Sequence, residues 1–340
     1  MMTDVAASPL RVGLIGLGRS GLHLIERFAA GGPFRVVAVF DATPGFAISD
    51  VVSQFRVPCA PSVEELLSTA EIDVVWFASQ EAFRGDFAAA GGSYGKHTIG
   101  ETPFTLSLTV AETAFEQADK NGRLLLVHHP RRSDPEFRQA LSVAQDQSVG
   151  PIRSAKFVSW TYGIPPRGAT RGTGPLPPDG VDDTQVTKVR FVAHALDQLV
   201  LLIGDRPLRV FAAGDPNAPG FPDLFAGLSL SLQIHFEHGC QAEIDVRLDS
   251  PTPFQSGWML TAERGGYSKG RRFTLADDGE IFDSPVPLAV DSQDADQFER
   301  LAQQIRSGQR DPVEEARVRT VVALLDGAQR SLASKQAVDL

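Results

Sequence analysis

Arg11-Val-Gly-Leu-Ile-Gly16-Leu-Gly18-Arg19-Ser20-Gly21 sets a short apolar run against the spacing Gly-x-Gly-x-x-Gly. Glycine is common in turns, so the spacing alone says little; its surroundings decide. Val12–Ile15 has the unbroken apolar character of a strand buried on both faces. Leu22, Ile25, Phe28 and Ala29 then recur at helical spacing, and Val36–Phe40 reads as a second strand ending on Asp41, twenty residues past Gly21. Strand, glycine turn, helix, strand and acid in that order form the fingerprint of a dinucleotide-binding unit. In such a unit Gly16 permits the tight turn, Gly18 lets the backbone approach a pyrophosphate, and Gly21 lets the helix pack closely on the strand. The helix start at Arg19 and Ser20 then offers free N–H groups to the phosphates. Asp41 would accept from the ribose hydroxyls and repel a 2′-phosphate, which favours NAD over NADP. Arg19 pulls the other way, since an arginine in the loop could serve that phosphate.

Outward from this loop the alternation continues. Ile48, Val51, Val52 and Phe55 mark an amphipathic helix, and Ser62 with Glu65 forms a capping box ahead of Leu66 and Leu67. Ile72–Ala78 is an apolar strand, Asp86–Ala90 a short helix closed by Gly91-Gly92, Thr109–Lys120 a longer helix ended by Asn121-Gly122, and Leu124–Val127 a last strand. This predicts a doubly wound parallel sheet of Rossmann type over residues 1–130.

The remaining residues, 131–340, change character. Leu228–Phe236 and Cys240–Leu248 alternate strictly around a turn at His238-Gly239, which predicts an antiparallel hairpin with one buried face. Arg153–Trp160, Leu208–Ala213, Trp258–Ala262 and Arg271–Leu275 read as further strands. Val186–Ile203, Gln293–Arg306 and Pro312–Ser334 read as helices, and Pro165–Gly180 as a loop rich in Pro and Gly. The expectation is an α+β domain with a large, mostly antiparallel open sheet, and with C-terminal helices free to pack back on the Rossmann domain.

Composition narrows the classes. The chain has 340 residues, 42% hydrophobic and 22% charged, enough for two globular domains. A net charge of −10 argues against nucleic acid as a partner, and no apolar run reaches the length that spans a bilayer. Two cysteines, Cys59 and Cys240, exclude a disulfide framework. His128-His129 lacks acidic partners at ligand spacing, so no metal is expected there. His235 and His238 fall on or beside an alternating strand and should face solvent. The cytoplasm is the expected compartment.

Several further segments carry a resemblance. Asp73-Val-Val-Trp-Phe-Ala-Ser79 is similar to a strand ending in an Ala-Thr-Pro-like turn, with Gln80 in place of the proline. Gly95-Lys96-His97 followed by Gly100-Glu101-Thr102-Pro103 is similar to a Gly-Lys-His … Glu-Lys-Pro segment. Arg131-Arg132-Ser-Asp-Pro135, Gly150-Pro-Ile152, His194-Ala-Leu-Asp197 and the tail from Ser331 follow in the matching order. Together they resemble the family of glucose–fructose oxidoreductase, inositol dehydrogenase and their rhizopine-catabolism relatives. The resemblance implies an NAD-dependent oxidoreductase acting on a secondary alcohol of a sugar or cyclitol. It puts Ser79 and Glu101 beside the cofactor and Arg131 and Asp197 beside the substrate. It also implies a homodimer or homotetramer built on the open sheet.

In that family a lysine after the Glu, an Asp and a His surround the carbon that is oxidised. Here the lysine position is Thr102 and the Asp position is Arg190; His194 alone remains. Threonine does not titrate near neutrality and arginine stays protonated, so neither is a base. Arg190, His194 and Asp197 stand at i, i+4 and i+7 of one helix face. An arginine there suggests an anionic substrate group. Three readings stay open: a dehydrogenase with His194 as base; a non-catalytic dinucleotide-binding regulator or partner subunit; and an enzyme that uses bound NAD for transient oxidation during cleavage or dehydration.

Overall fold

The computed structural model describes residues 8–42, 53–78, 86–161, 183–218, 224, 227–252, 255–288 and 293–340. They fall into two compact units. One comprises the described residues up to His128 together with those of 292–315; the other comprises the described residues from His129 to Asp291 and 316–340. The residues 48–52 of one expected helix, and the Pro/Gly loop 165–180, lie outside the described residues.

In the first unit, β1 (Leu10–Ile15), α1 (Arg19–Ala29), β2 (Phe34–Phe40), α2 (Val63–Ser68), β3 (Val74–Phe77), α3 (Asp86–Ser93), β4 (His97–Glu101), α4 (Leu108–Lys120) and β5 (Leu125–His128) alternate along the chain. The five strands form a sheet in the order β2-β1-β3-β4-β5, each pair parallel. A parallel bridge between Val39 and Cys59 adds the stub of another strand outside β2. Counting that stub, the order across the sheet is the one found in six-stranded dinucleotide-binding sheets, with the reversal beside β1. Ser62 caps α2 by accepting from the Glu65 N–H at 3.1 Å.

Strand β4 was not expected, and one expectation changes. Gly91-Gly92 does not close α3 but lies inside it. A Cβ on Gly91 would stand 2.6 Å from Thr98 Oγ1, and one on Gly92 would stand 3.3 Å from Ala118 Cα. The two glycines let this helix lie close against β4 and α4, a packing role that sequence punctuation cannot distinguish from a stop.

The core of this unit is aromatic. Phe28, Phe34 and Trp76 pack with ring centroids 5.3–5.4 Å apart. Phe298, from α7 (Gln293–Ser307), joins them at 5.2 Å from Phe28, so a helix from the far end of the chain completes this core.

The second unit carries α5 (Pro135–Ala144), β6 (Ile152–Trp160), α6 (Asp183–Ile203), β7 (Pro207–Gly214), β8 (Ser229–Phe236), β9 (Gln241–Arg247), β10 (Gln255–Ala262), β11 (Gly265–Ser268), β12 (Arg271–Leu275), β13 (Ile281–Pro285) and β14 (Val338–Asp339). Helix α8 (Pro312–Ser334) leads into β14. The nine strands run β13-β12-β11-β10-β6-β9-β8-β7-β14, antiparallel throughout except for β6 with β9. The expected hairpin is β8–β9, with Leu230, Leu232 and Ile234 buried and Gln233 and His235 outward. Strands β11, β13 and β14 were not expected. Two glycines open β11, every residue of β13 is exposed, and β14 has two residues, so none shows an apolar period.

Candidate active site

In the first unit the chain turns between β1 and α1. Gly16 takes a left-handed φ of 99° and donates its N–H to the Phe40 carbonyl at 2.8 Å. A Cβ on Gly21 would stand 1.9 Å from the Gly16 carbonyl oxygen, so the fold itself requires that glycine. A Cβ on Gly18 would meet nothing within 4 Å. Gly18 is also the residue before α1, where no side chain caps the helix and no acid stands in the first turn. Open space over uncapped N–H groups fits a phosphate. Arg19 and Ser20 open α1. Asp41, just past β2, accepts the Leu17 N–H on Oδ2 at 2.5 Å, which ties the acid to the glycine loop. Ser79 and the Arg19 side chain lie outside the described residues.

At the ends of β3, β4 and β5 a second set meets. Glu101 Oε1 accepts from Trp76 Nε1 at 2.8 Å and faces His128 Nδ1 at 2.9 Å, while the His128 ring stacks on Phe298 at 5.1 Å. Thr102 is 4% exposed, and its hydroxyl donates to the His128 carbonyl at 2.8 Å. The side chain in the lysine position is thus turned onto the β5 backbone. Lys96 is a structural tie: its buried ammonium donates to the carbonyls of Thr69 and Ile72 at 2.7 and 2.8 Å, and burial pushes its pKa down.

The second unit contains a cavity of about 310 Å³. Phe191, His194, Ala195 and Gln198 of α6 form one wall; Arg131, Glu136, Phe157 and Gly257 are among the residues closing it. The lining stripe therefore runs 191-194-195-198, and neither Arg190 nor Asp197 belongs to it. Arg190 is half-buried. Asp197, 3% exposed, takes Arg132 Nε at 2.8 Å and Nη2 at 2.6 Å and stands 3.2 Å from His129 Nδ1. It anchors α6 to the turn that opens this unit. Arg131 lies over the Phe191 ring at 4.5 Å and 3.5 Å from Asp134. Gln198 is fixed at both ends, donating to the Arg131 carbonyl at 2.6 Å and accepting from Trp258 Nε1 at 2.8 Å.

His128 and His129 do have carboxylate neighbours, Glu101 and Asp197, supplied from distant parts of the chain that local spacing cannot reveal. Among the described residues no group of three or more His, Cys, Asp or Glu is placed to hold a metal ion. Gln198 and Glu136 escaped the sequence reading. Gln198 stands one turn past His194, which is a usable signal. Glu136 looks like an ordinary acid at a helix start.

Residues 10–129 match the model of the Gfo/Idh/MocA oxidoreductase family with its NAD-binding Rossmann fold. That segment of the chain is thus similar to the family's NAD-binding domain. It is 27% identical over 205 residues to UDP-N-acetylglucosamine 3-dehydrogenase of Acidithiobacillus ferrooxidans, covering 60% of this chain and 58% of that one. It is 23% identical over 203 residues to inositol 2-dehydrogenase of Rhizobium meliloti, covering 60% and 58%. The chain thus spans about three-fifths of the length of these curated relatives. Its fold is also that of GenD2 from gentamicin A biosynthesis, solved in complex with NAD, with a TM-score of 0.75, 19% identity, and coverage of 98% of this chain and 97% of that one.

Gly18→Val should leave thermal stability unchanged and abolish dinucleotide binding. Gly21→Ala should lower stability by about 1–3 kcal/mol through its clash with the Gly16 carbonyl. Calorimetric titration and thermal unfolding of both variants check this pair.

Proposed function

We propose that this protein is an NAD-dependent oxidoreductase that oxidises a secondary alcohol of a sugar or cyclitol, with His194 as the base. The observation that carries the reading is His194 in the wall of a cavity of polar and aromatic side chains, in a chain whose other unit holds an open glycine cradle. A bound dinucleotide would supply the hydride acceptor. Gly16, Gly18, Ser20 and Gly21 would hold its pyrophosphate, with Asp41 on the ribose and Glu101 towards the nicotinamide end. The His194 imidazole takes the hydroxyl proton. Thr102 contributes no base, because its hydroxyl is neutral and already donates to the His128 carbonyl. Arg190 contributes none because it stays protonated.

The Thr102 contact also favours a second reading, a dinucleotide-binding regulator without turnover. The two are separated by one comparison. His194→Ala should lower kcat about 10²–10⁴-fold while leaving dinucleotide affinity unchanged. Dinucleotide binding with no NADH formed from any of a broad set of neutral, amino and acidic sugars would favour the regulator.

We also propose a homodimer or homotetramer built on the outward face of the nine-stranded sheet. That face is polar and ordered: Lys156 pairs with Glu243 at 3.0 Å, and Arg247 lies over the Trp160 ring at 5.1 Å while bonded to Asp245 at 3.2 Å. Light scattering across micromolar concentrations should show more than one chain per particle. A monomer throughout would contradict the proposal.

A further inference from the structure

The cavity that His194 lines also holds a carboxylate for which proton transfer from the alcohol has no use. Glu136, in the first turn of α5, is half-buried against β10. Its Oε1 accepts the Trp258 N–H at 2.9 Å, and the space beside it is so tight that a Cβ on Gly257 would stand 3.0 Å from the same oxygen. Among the described residues no Lys, Arg or His pairs with it. Tyr267 hydrogen-bonds the carboxyl, and the charge that acts on it, Asp134, has the same sign. The guanidinium in the wall, Arg131, is already balanced by Asp134 and spread over the Phe191 ring. Burial pushes the Glu136 carboxyl above its usual range. An unpaired, half-buried carboxylate costs stability, and residues kept at such a cost cluster where ligands bind.

The geometry points to Glu136 as a specificity-determining residue that receives a protonated amino group on the substrate ring. This deepens the oxidoreductase reading and rests on it only for the site of reaction. An ammonium there would gain charge-assisted hydrogen bonds from the carboxylate. It would gain further from the faces of Phe157 and Phe191, which line the same cavity. A hydroxyl gains less. A carboxylate on the ligand would meet Asp134 and Glu136 with Arg131 already paired. This reverses the expectation of an anionic substrate, which rested on Arg190, a residue outside the cavity wall.

The test is calorimetric titration of the NAD-loaded protein with D-glucosamine, D-glucose and D-gluconate, in wild type, Glu136→Gln and Glu136→Asp. Wild type should bind glucosamine at least ten times more tightly than glucose, with gluconate weakest. Glu136→Gln should erase that preference and Glu136→Asp should keep part of it. Thermal unfolding supplies a second readout that a purely structural acid would move the other way. A carboxyl whose pKa is raised by folding contributes stability at low pH that is lost as pH rises through that raised value. Tyr267 hydrogen-bonds it, Asp134 acts on it electrostatically, and Arg131 and His194 line the same cavity; all four stay in place in both variants. The melting temperature of Glu136→Gln should therefore gain on wild type between pH 4 and pH 8. Tightest binding of gluconate, an undiminished glucosamine preference in Glu136→Gln, or no binding of any of the three sugars would overturn the assignment. Binding is read without turnover, so a glucosamine preference with no NADH formed from any of the broad set of sugars would defeat the oxidoreductase reading and leave Glu136 in its role.

Discussion

Gly21 sits over the carbonyl of Gly16 at a distance that no Cβ could tolerate. From that approach the first unit follows. It sets the start of α1 just beyond the end of β1 and leaves the space above Gly18 open. The Phe40 carbonyl and the Asp41 carboxylate, both at the end of β2, then hold the turn through the Gly16 and Leu17 N–H groups. Asp41 therefore serves the loop as well as any ligand. Its position beside the turn is fixed before anything binds, which is what preorganised recognition requires.

The second unit depends on a different kind of contact. Asp197 is buried and holds Arg132 through both oxygens, with His129 beside it. Removing one partner of such a group leaves a buried charge uncompensated, at a cost of about 3–5 kcal/mol. The tie holds α6 against the opening turn. It thereby fixes which residues of the helix line the cavity: His194 and Gln198 do, and Asp197 does not. A chemistry-bearing residue type at helical spacing is thus a positioning residue here, and its neighbour one step on is the one that reaches the cavity.

The first unit was readable because its rules are local. A parallel strand buried on both faces is apolar throughout, a helix shows its period, and the glycine spacing follows from the turn. The capping serine Ser62 and the hairpin β8–β9 were legible for the same reason. What escaped was set by tertiary contact. Gly91-Gly92 stays helical because β4 and α4 lie close against it, Phe298 crosses most of the sequence to reach Trp76, and β13 is an edge strand with nothing buried. At the site, the glycine loop and His194 were visible as motifs. Glu136 was not, because its distinguishing property is that no opposite charge among the described residues pairs with it, which only the folded chain reveals.

The account stands on the acid at the end of β2 selecting the dinucleotide. The most direct measurement is calorimetric titration of wild type and Asp41→Ala with NADH and with NADPH. Wild type should bind NADH at least tenfold more tightly, and Asp41→Ala should narrow the gap by weakening NADH and admitting NADPH. Equal affinities in wild type, or tighter binding of NADPH, would contradict it.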